Sequence, residues 1–458
     1  MEPGTGWHLK LEDPSIWHIS WYQWAFSCHE PSLCNWHHYS AHHYQSILPS
    51  VDPILQITFF IVVACQVILG VSHQGCSFLL KMVQYIIQLT LLHSGLNFNQ
   101  SDKKLLSDIP ANIHNPEEHF SLKNLHTIFA ICLNPKCHAT YKPKFEKSLP
   151  IPIYPKQCNH RQFHGGWKCA TPLLKPKHIK GHPIFVPIKP FIGFNSKDWL
   201  GALLSWLGFE HKMDATWASC QTGNDPILEM KDIFDGHVLH NFKGPDELHF
   251  SVSNGEGCYI FFLCVDFFNP LGNKQAGKKK YIGLISLVCL NLPPKLQYHP
   301  ENMFLYGVVP GPREPPLACL NHYLHHLIDK LLKFWHMGVW FSCTWKHFYG
   351  RVVRCALVCV VCDLPAAHKV NGFASVGHNQ ACAICCCNHC PNDLGDTFSR
   401  LWEQRTDQHI QEFSQCYFDA QDEQERVDTV QKTGIQCSEL HWLPYFDASC
   451  FCCCWHHA

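Results

Sequence analysis

Arginine is scarce in this chain. Only seven occur in 458 residues: Arg161, Arg313, Arg351, Arg354, Arg400, Arg405 and Arg426. With a formal net charge of −1, no global field draws polyanions in, so contact with nucleic acid must rest on local patches. Lysines cluster at Lys136–Lys147, Lys168–Lys189 and Lys274–Lys280, runs that read first as solvated surface. A glycine-rich phosphate loop is also missing, because Gly255-Glu-Gly257 is too short and follows no strand. No Ser/His/Asp arrangement can be argued from spacing, and no internal repeat appears. The first 20 residues lack a basic start with an apolar run, so no secretory leader is expected. Long apolar runs are few. Ile54–Val71 approaches the length of a membrane span, but Gln56, Thr58 and Gln66 interrupt it. With the amphipathic Cys76–Leu92 that follows, it reads as a buried helical hairpin, a single span being the alternative.

What the chain has in excess is 34 His, 28 Cys and 15 Trp. Disulfide scaffolds are short and secreted, so in a chain this long the cysteines read as thiols or metal ligands in a reducing compartment. Cys132-x4-Cys137 with Cys158 and Cys169 could give four thiolates to a tetrahedral zinc, with His160 and His164 as alternative ligands and free thiols as the bland reading. Cys382-x2-Cys385 is a tighter pair, since two intervening residues let both sulfurs face one ion. His378, Cys386, Cys387, His389 and Cys390 are available to complete that set, although chance pairs are expected among so many cysteines.

Two apolar strands each deliver an aspartate: Cys258–Asp266, and Val352–Asp363 followed by Leu364-Pro365. A carboxylate at a strand end sits at the rim of a sheet, where it can reach a metal without burying a charge. Between them lie a polar turn (Asn269–Lys280) and two further apolar runs, Tyr281–Leu290 and Met303–Val309. Leu317–Trp335 follows, with apolar residues at Leu320, Tyr323, Leu324, Leu327, Ile328, Leu331 and Leu332, which is helical spacing. The order strand, strand, strand, helix, strand is that of the ribonuclease H-like fold, an α/β class with a mixed-sheet core. Its members use two metal ions on nucleic acid. The bland alternative is that each Asp merely begins a turn.

Several phrases carry a resemblance across residues 54–449. They are Ile151-Pro-Ile-Tyr-Pro155, Lys197-Asp-Trp199, Asp235-Gly236, Leu263-Cys-Val-Asp-Phe-Phe-Asn-Pro270, Gly311-Pro312, Cys362-Asp-Leu-Pro-Ala366, Gly372-Phe373, Cys382-x2-Cys385 and Leu443-Pro-Tyr-Phe-Asp447. In order and content they resemble CACTA-type transposases, abundant in fungal genomes. The resemblance implies a ribonuclease H-like domain that cuts and transfers strands at transposon ends with Mg²⁺. DNA would be the partner, the nucleus the compartment, and a homo-oligomer an open alternative. Asp266 resembles the family's first catalytic Asp and Asp363 the second, while Cys382 and Cys385 match the CxxC that follows.

The departures matter as much. After Asp447 the family continues into a strand, an acidic residue, a His and a further domain supplying the third carboxylate. Here the chain reads Cys452-Cys-Cys-Trp-His-His457, as repeated valine codons would if read out of register. Trp206-Leu207, Cys258, Met337, Trp340, Cys343 and His368 stand where relatives tend to carry Arg or Pro, as cytosine-to-thymine changes would leave them. The expectation is a truncated, transposase-derived fragment with little or no activity. A zinc-dependent binding module without catalysis is the rival.

Five regions are expected: an unassigned 1–50, a helical 51–126, a Cys/Pro-rich module at 127–190, the ribonuclease H-like domain at 191–449, and an aberrant tail at 450–458. Within them, 94–126 reads as polar and loop-like. Lys197–Met213 reads as one helix capped by Ser196, and Phe398–Val430 as helical.

Overall fold

The computed structural model describes residues 37–38, 40, 43, 52–67, 69–93, 99–119, 125–146, 149–163, 165–179, 182–220, 232–251, 255–270, 281–387 and 402–454. The strands in chain order are β1 (His37–His38), β2 (His126–Ile131), β3 (Thr140–Tyr141), β4 (Lys144–Glu146), β5 (Leu149–Ile153), β6 (Leu174–Ile179), β7 (His182–Pro187) and β8 (Pro190–Phe194). They continue with β9 (Gly257–Phe268), β10 (Ile282–Cys289), β11 (Met303–Val309), β12 (Val339–Phe341), β13 (Arg351–Cys362) and β14 (Cys452–Cys454). The longer helices are α1 (Pro53–Val67), α2 (His73–His93), α3 (Gln100–Asp108), α4 (His114–His119) and α5 (Ser196–Ser205). After them come α6 (Phe209–Cys220), α7 (Leu317–His336), α8 (Leu364–Asn371), α9 (Asp407–Asp419) and α10 (Glu423–Thr433).

One large mixed sheet organises the α/β molecule, in the order β1-β12-β13-β9-β10-β11-β8-β2-β3, with β14 beside β13. β9, β10 and β11 form an antiparallel meander. The chain then crosses through α7 and returns as β13, parallel to β9. β14 pairs with the far end of β13, also parallel, and β12 pairs antiparallel with its start. The apolar face expected of Leu317–Trp335 is buried at Leu320, Tyr323, Leu324, Leu327, Ile328 and Leu331, which packs α7 onto β13. β2 and β8, at the two ends of the cysteine-rich region, extend this same sheet from β11.

Local chemistry explains where the helices differ from the periodic reading. Asn195, not Ser196, caps α5, its side chain accepting from the Lys197 N–H. The expected single helix breaks at Trp206–Gly208, where Gly208 takes φ +73°, and restarts as α6. The polar stretch 94–126 contains α3, begun by a reciprocal Asn99/Asp102 capping box, and α4. The Phe398–Val430 stretch resolves into α9 and α10, the second capped by Asp422. In the first 50 residues, β1 adds to β12, and Ser40 is stitched to the backbone of Cys343.

α1 and α2 form a hairpin closed by Leu55, Phe59, Val62, Cys76 and Leu80, but it is not the buried hairpin expected, since Ile57, Phe60 and Ile61 of α1 are also exposed. Most of α2 faces outward, with Phe78, Met82, Tyr85, Leu89 and Leu92 all at least 40% exposed. Among the described residues α2 is the one helix long and apolar enough to cross a membrane, whereas α1 has 15 residues.

A buried ionic cluster fixes the start of β13. Arg351 donates to Glu210 Oε1 at 2.8 Å and Asp214 Oδ2 at 3.0 Å, Lys346 Nζ reaches Asp214 at 2.9 Å, and the Tyr259 hydroxyl donates to Asp214 at 3.0 Å. Two cations thus balance two carboxylates, and removing one partner leaves a buried charge uncompensated. Arg351→Met is therefore expected to lower stability by about 3–5 kcal/mol, read as a fall in the urea midpoint. A midpoint equal to the parent's would show that the cluster does not hold β13 to α6.

Candidate metal centres

β9 is buried from Gly257 to Leu263 and again at Val265, and becomes exposed at Asp266. β13 is likewise buried to Cys362, after which Asp363 is exposed. The parallel pairing runs Val353↔Gly257 to Leu357↔Phe261, then shifts by one residue and resumes at Cys359↔Phe262 and Val360↔Leu263. Continued along both chains, the shifted register sets Asp363 level with Asp266 at one end of neighbouring strands. Without that bulge Asp266 would lie level with Cys362 instead. Asp363 also caps α8, its Oδ1 accepting from the Ala366 N–H at 2.9 Å, so its backbone is held while the carboxylate stays at the surface.

Sequence reasoning assigned no role to several neighbours of this pair. Cys362 Sγ accepts from the Val265 N–H at 3.1 Å. Cys264 beside it has its thiol pKa lowered, first by a hydrogen bond from Cys362, against the opposing charges of Asp266 and Asp363. Lys369 sits 5.2 Å over the Phe267 ring and pairs with Glu314 at 2.6 Å. Only tertiary pairing brings these residues together, so no spacing rule could have found them.

The four spaced cysteines converge. The sulfurs of Cys132, Cys137, Cys158 and Cys169 all lie within 4.8 Å of one another, with Cys132–Cys169 and Cys137–Cys158 at 3.6 Å. A disulfide would need about 2.05 Å, whereas tetrahedral thiolates about 2.3 Å from zinc stand about 3.8 Å apart. Each knuckle is held by backbone: Cys132 N–H donates to Ala139 O, and Cys158 N–H to Thr171 O. The residues just after Cys137 and Cys169, His138 and Ala170, take positive φ, a strain that an enforced turn sustains. Asn134 Nδ2 donates to Cys169 Sγ at 3.4 Å, and the Tyr141 hydroxyl lies 3.1 Å from Cys158 Sγ. A hydrogen bond from Cys137 holds the Cys132 thiol down at about 5 and pushes Cys137 upward. The cluster could hold a metal such as zinc. Of the alternative ligands, His160 packs edge-on against His322, ring centroids 4.7 Å apart, and His164 lies outside the described residues. Arg426 of α10 stacks 4.3 Å from Phe163 and docks the module beside a cleft of about 790 Å³.

At the tighter motif, Cys382, Cys385 and Cys387 converge within the same limit. Cys385 N–H donates to Cys382 Sγ at 3.4 Å. Burial raises the Cys382 pKa, but the N–H groups of Cys385 and Ile384 bring it down overall. Arg405 clasps the knuckle through Cys382 O, Gln380 O and Thr433 O. The structure does not bring His378 or Cys386 into this group; His389 and Cys390 lie outside the described residues.

Residues 240–431 match the transposase family tnp2. That span contains Asp266, Asp363, Cys382 and Cys385, and it relates this part of the chain to transposases. No curated protein matches the chain.

The four-thiol geometry makes a quantitative expectation. Zinc-grown chain should lose one equivalent of metal on Cys132→Ser or Cys158→Ser, measured by elemental analysis. Zinc binding displaces the thiol protons, so occupancy should fall as the solution is made acidic. Undiminished zinc in both variants would exclude these sulfurs as ligands.

Proposed function

We propose that this is a transposase-derived protein of the CACTA, DDE type, built on a ribonuclease H-like core for metal-dependent cleavage and transfer of DNA strands at transposon ends. One observation carries the reading: within the tnp2-matched region, the register of neighbouring parallel β9 and β13, continued past Val360↔Leu263, puts exposed Asp266 level with exposed Asp363. The strand order β11-β10-β9-β13-β14, an antiparallel meander followed by two parallel strands, supports the core assignment. Exposed carboxylate oxygens at a sheet rim suit Mg²⁺, a hard cation that keeps several waters. In this chemistry one ion activates the attacking oxygen and the other stabilises the leaving one. The two aspartates would orient that pair while the buried strands beneath keep them from moving apart. The nucleus is the compartment this reading implies.

Among the described residues neither Asp266 nor Asp363 belongs to a group of three ligand atoms within 4.8 Å of one another. Two carboxylates hold a pair of divalent ions weakly, so the activity we infer is low or lost. The four-thiol cluster, by contrast, offers a full ligand set. That contrast favours a second reading, in which a zinc-stapled protein binds DNA or another protein without cutting.

Nicking assays with Mg²⁺ separate the two. Asp266→Asn and Asp363→Asn should each abolish any cleavage, and because Asn also caps helices well, Asp363→Asn should leave α8 and thermal stability intact. Nicking at the parental rate in both variants would refute the catalytic assignment. Bound zinc with salt-sensitive DNA affinity and no nicking by the parent would favour the binding reading.

A further inference from the structure

A third convergence of ligand atoms lies away from both the aspartates and the cysteines. His38 on β1, His43 in the turn after it, and Asp198 in the first turn of α5 bring their ligand atoms within 4.8 Å of one another. His43 Nε2 stands 3.5 Å from Asp198 Oδ1, and His38 Nε2 stands 3.9 Å from the same oxygen. All three side chains are at most 15% exposed. We propose that His38, His43 and Asp198 form a zinc-class metal site that fastens the first described segment of the chain to α5.

Ligands about 2.0–2.1 Å from a tetrahedral zinc are spaced by about 3.3–3.4 Å. The 3.5 Å from His43 to Asp198 is near that spacing, and the 3.9 Å from His38 is within a small side-chain adjustment of it. Two imidazoles and one carboxylate are a borderline donor set that suits zinc and leaves a fourth position for water.

The surroundings are arranged for it. The other Asp198 oxygen, Oδ2, accepts from the Leu125 N–H at 3.4 Å, so Oδ1 is the one turned to the histidines. Gly201, one turn further along α5, has no side chain there. A Cβ would lie 3.1 Å from His38 Nε2 and 3.2 Å from His43 Nε2, filling the cradle. His38 is held by the sheet: β1 is paired with β12 at His38↔Phe341, the two rings meet edge-on at 5.4 Å, and the Ser342 N–H donates to His38 O at 3.1 Å.

The test uses the full chain, stripped with a chelator, reloaded with Zn²⁺ alone and analysed for metal per chain. Asp198→Asn and His43→Ala should each remove one equivalent, and that loss should add to the loss from Cys132→Ser, because the sites are separate. Gly201→Ala keeps all three ligands and strengthens the helix, yet should weaken zinc binding at this site by about 10–100-fold. Far-ultraviolet circular dichroism checks folding. Unchanged zinc content in folded Asp198→Asn and His43→Ala overturns the proposal. Should those two unfold, Gly201→Ala decides, and parental zinc affinity in it overturns the proposal equally.

Discussion

Everything near the carboxylates depends on how β9 and β13 lie against each other. They are parallel, non-adjacent in sequence and joined through α7, so nothing local holds their register. Two things set it. At one end Arg351, Glu210, Asp214 and Tyr259 lock the first residue of β13 to α6 and to β9. In the middle, the shift between Leu357 and Cys359 adds a residue to β13. A strand alternates its side chains between faces, so one residue decides which layer a terminal carboxylate joins. The ionic anchor and the bulge together set the register that puts Asp363 level with Asp266.

The candidate ligands of the sheet and of the cysteine knuckles differ in hardness. Asp266 and Asp363 are exposed oxygen donors, the kind that suits a small hydrated cation. Sulfur ligands lie in knuckles whose backbone N–H groups point at the thiolates, as at Cys382 and Cys385. The cysteine region is not a separate bead on the chain. Its flanking strands β2 and β8 are part of the central sheet, so metal bound at Cys132, Cys137, Cys158 and Cys169 would stiffen the sheet's edge.

The sequence made the interior elements legible because their signals are local. The heptad-like spacing of Leu320, Tyr323, Leu324, Leu327 and Leu331 gave α7, and continuous apolar runs gave β9, β10, β11 and β13 nearly to the residue. The four cysteines were legible as a set, though their spacing is irregular. Long-range pairings left no such trace. β1, β3 and β12 are two or three residues long, and their partners are chosen by the sheet rather than by periodicity. The bulge in β13 hides inside an unbroken run of Val, Cys and Leu. The end of α5 at Gly208 and the capping box before α3 were written in single residues that periodicity averages away. His38 and His43 escaped notice among many histidines because their third partner, Asp198, is far away in the chain.

The exposed stripe on α2 has a practical outcome. Phe78, Met82, Tyr85, Leu89 and Leu92 recur at alternating steps of four and three, on the side of the helix away from Cys76 and Leu80. A rod oily on two opposite flanks is poorly served by water on one of them. That flank, more than the near-zero net charge, is the surface expected to seek an apolar partner.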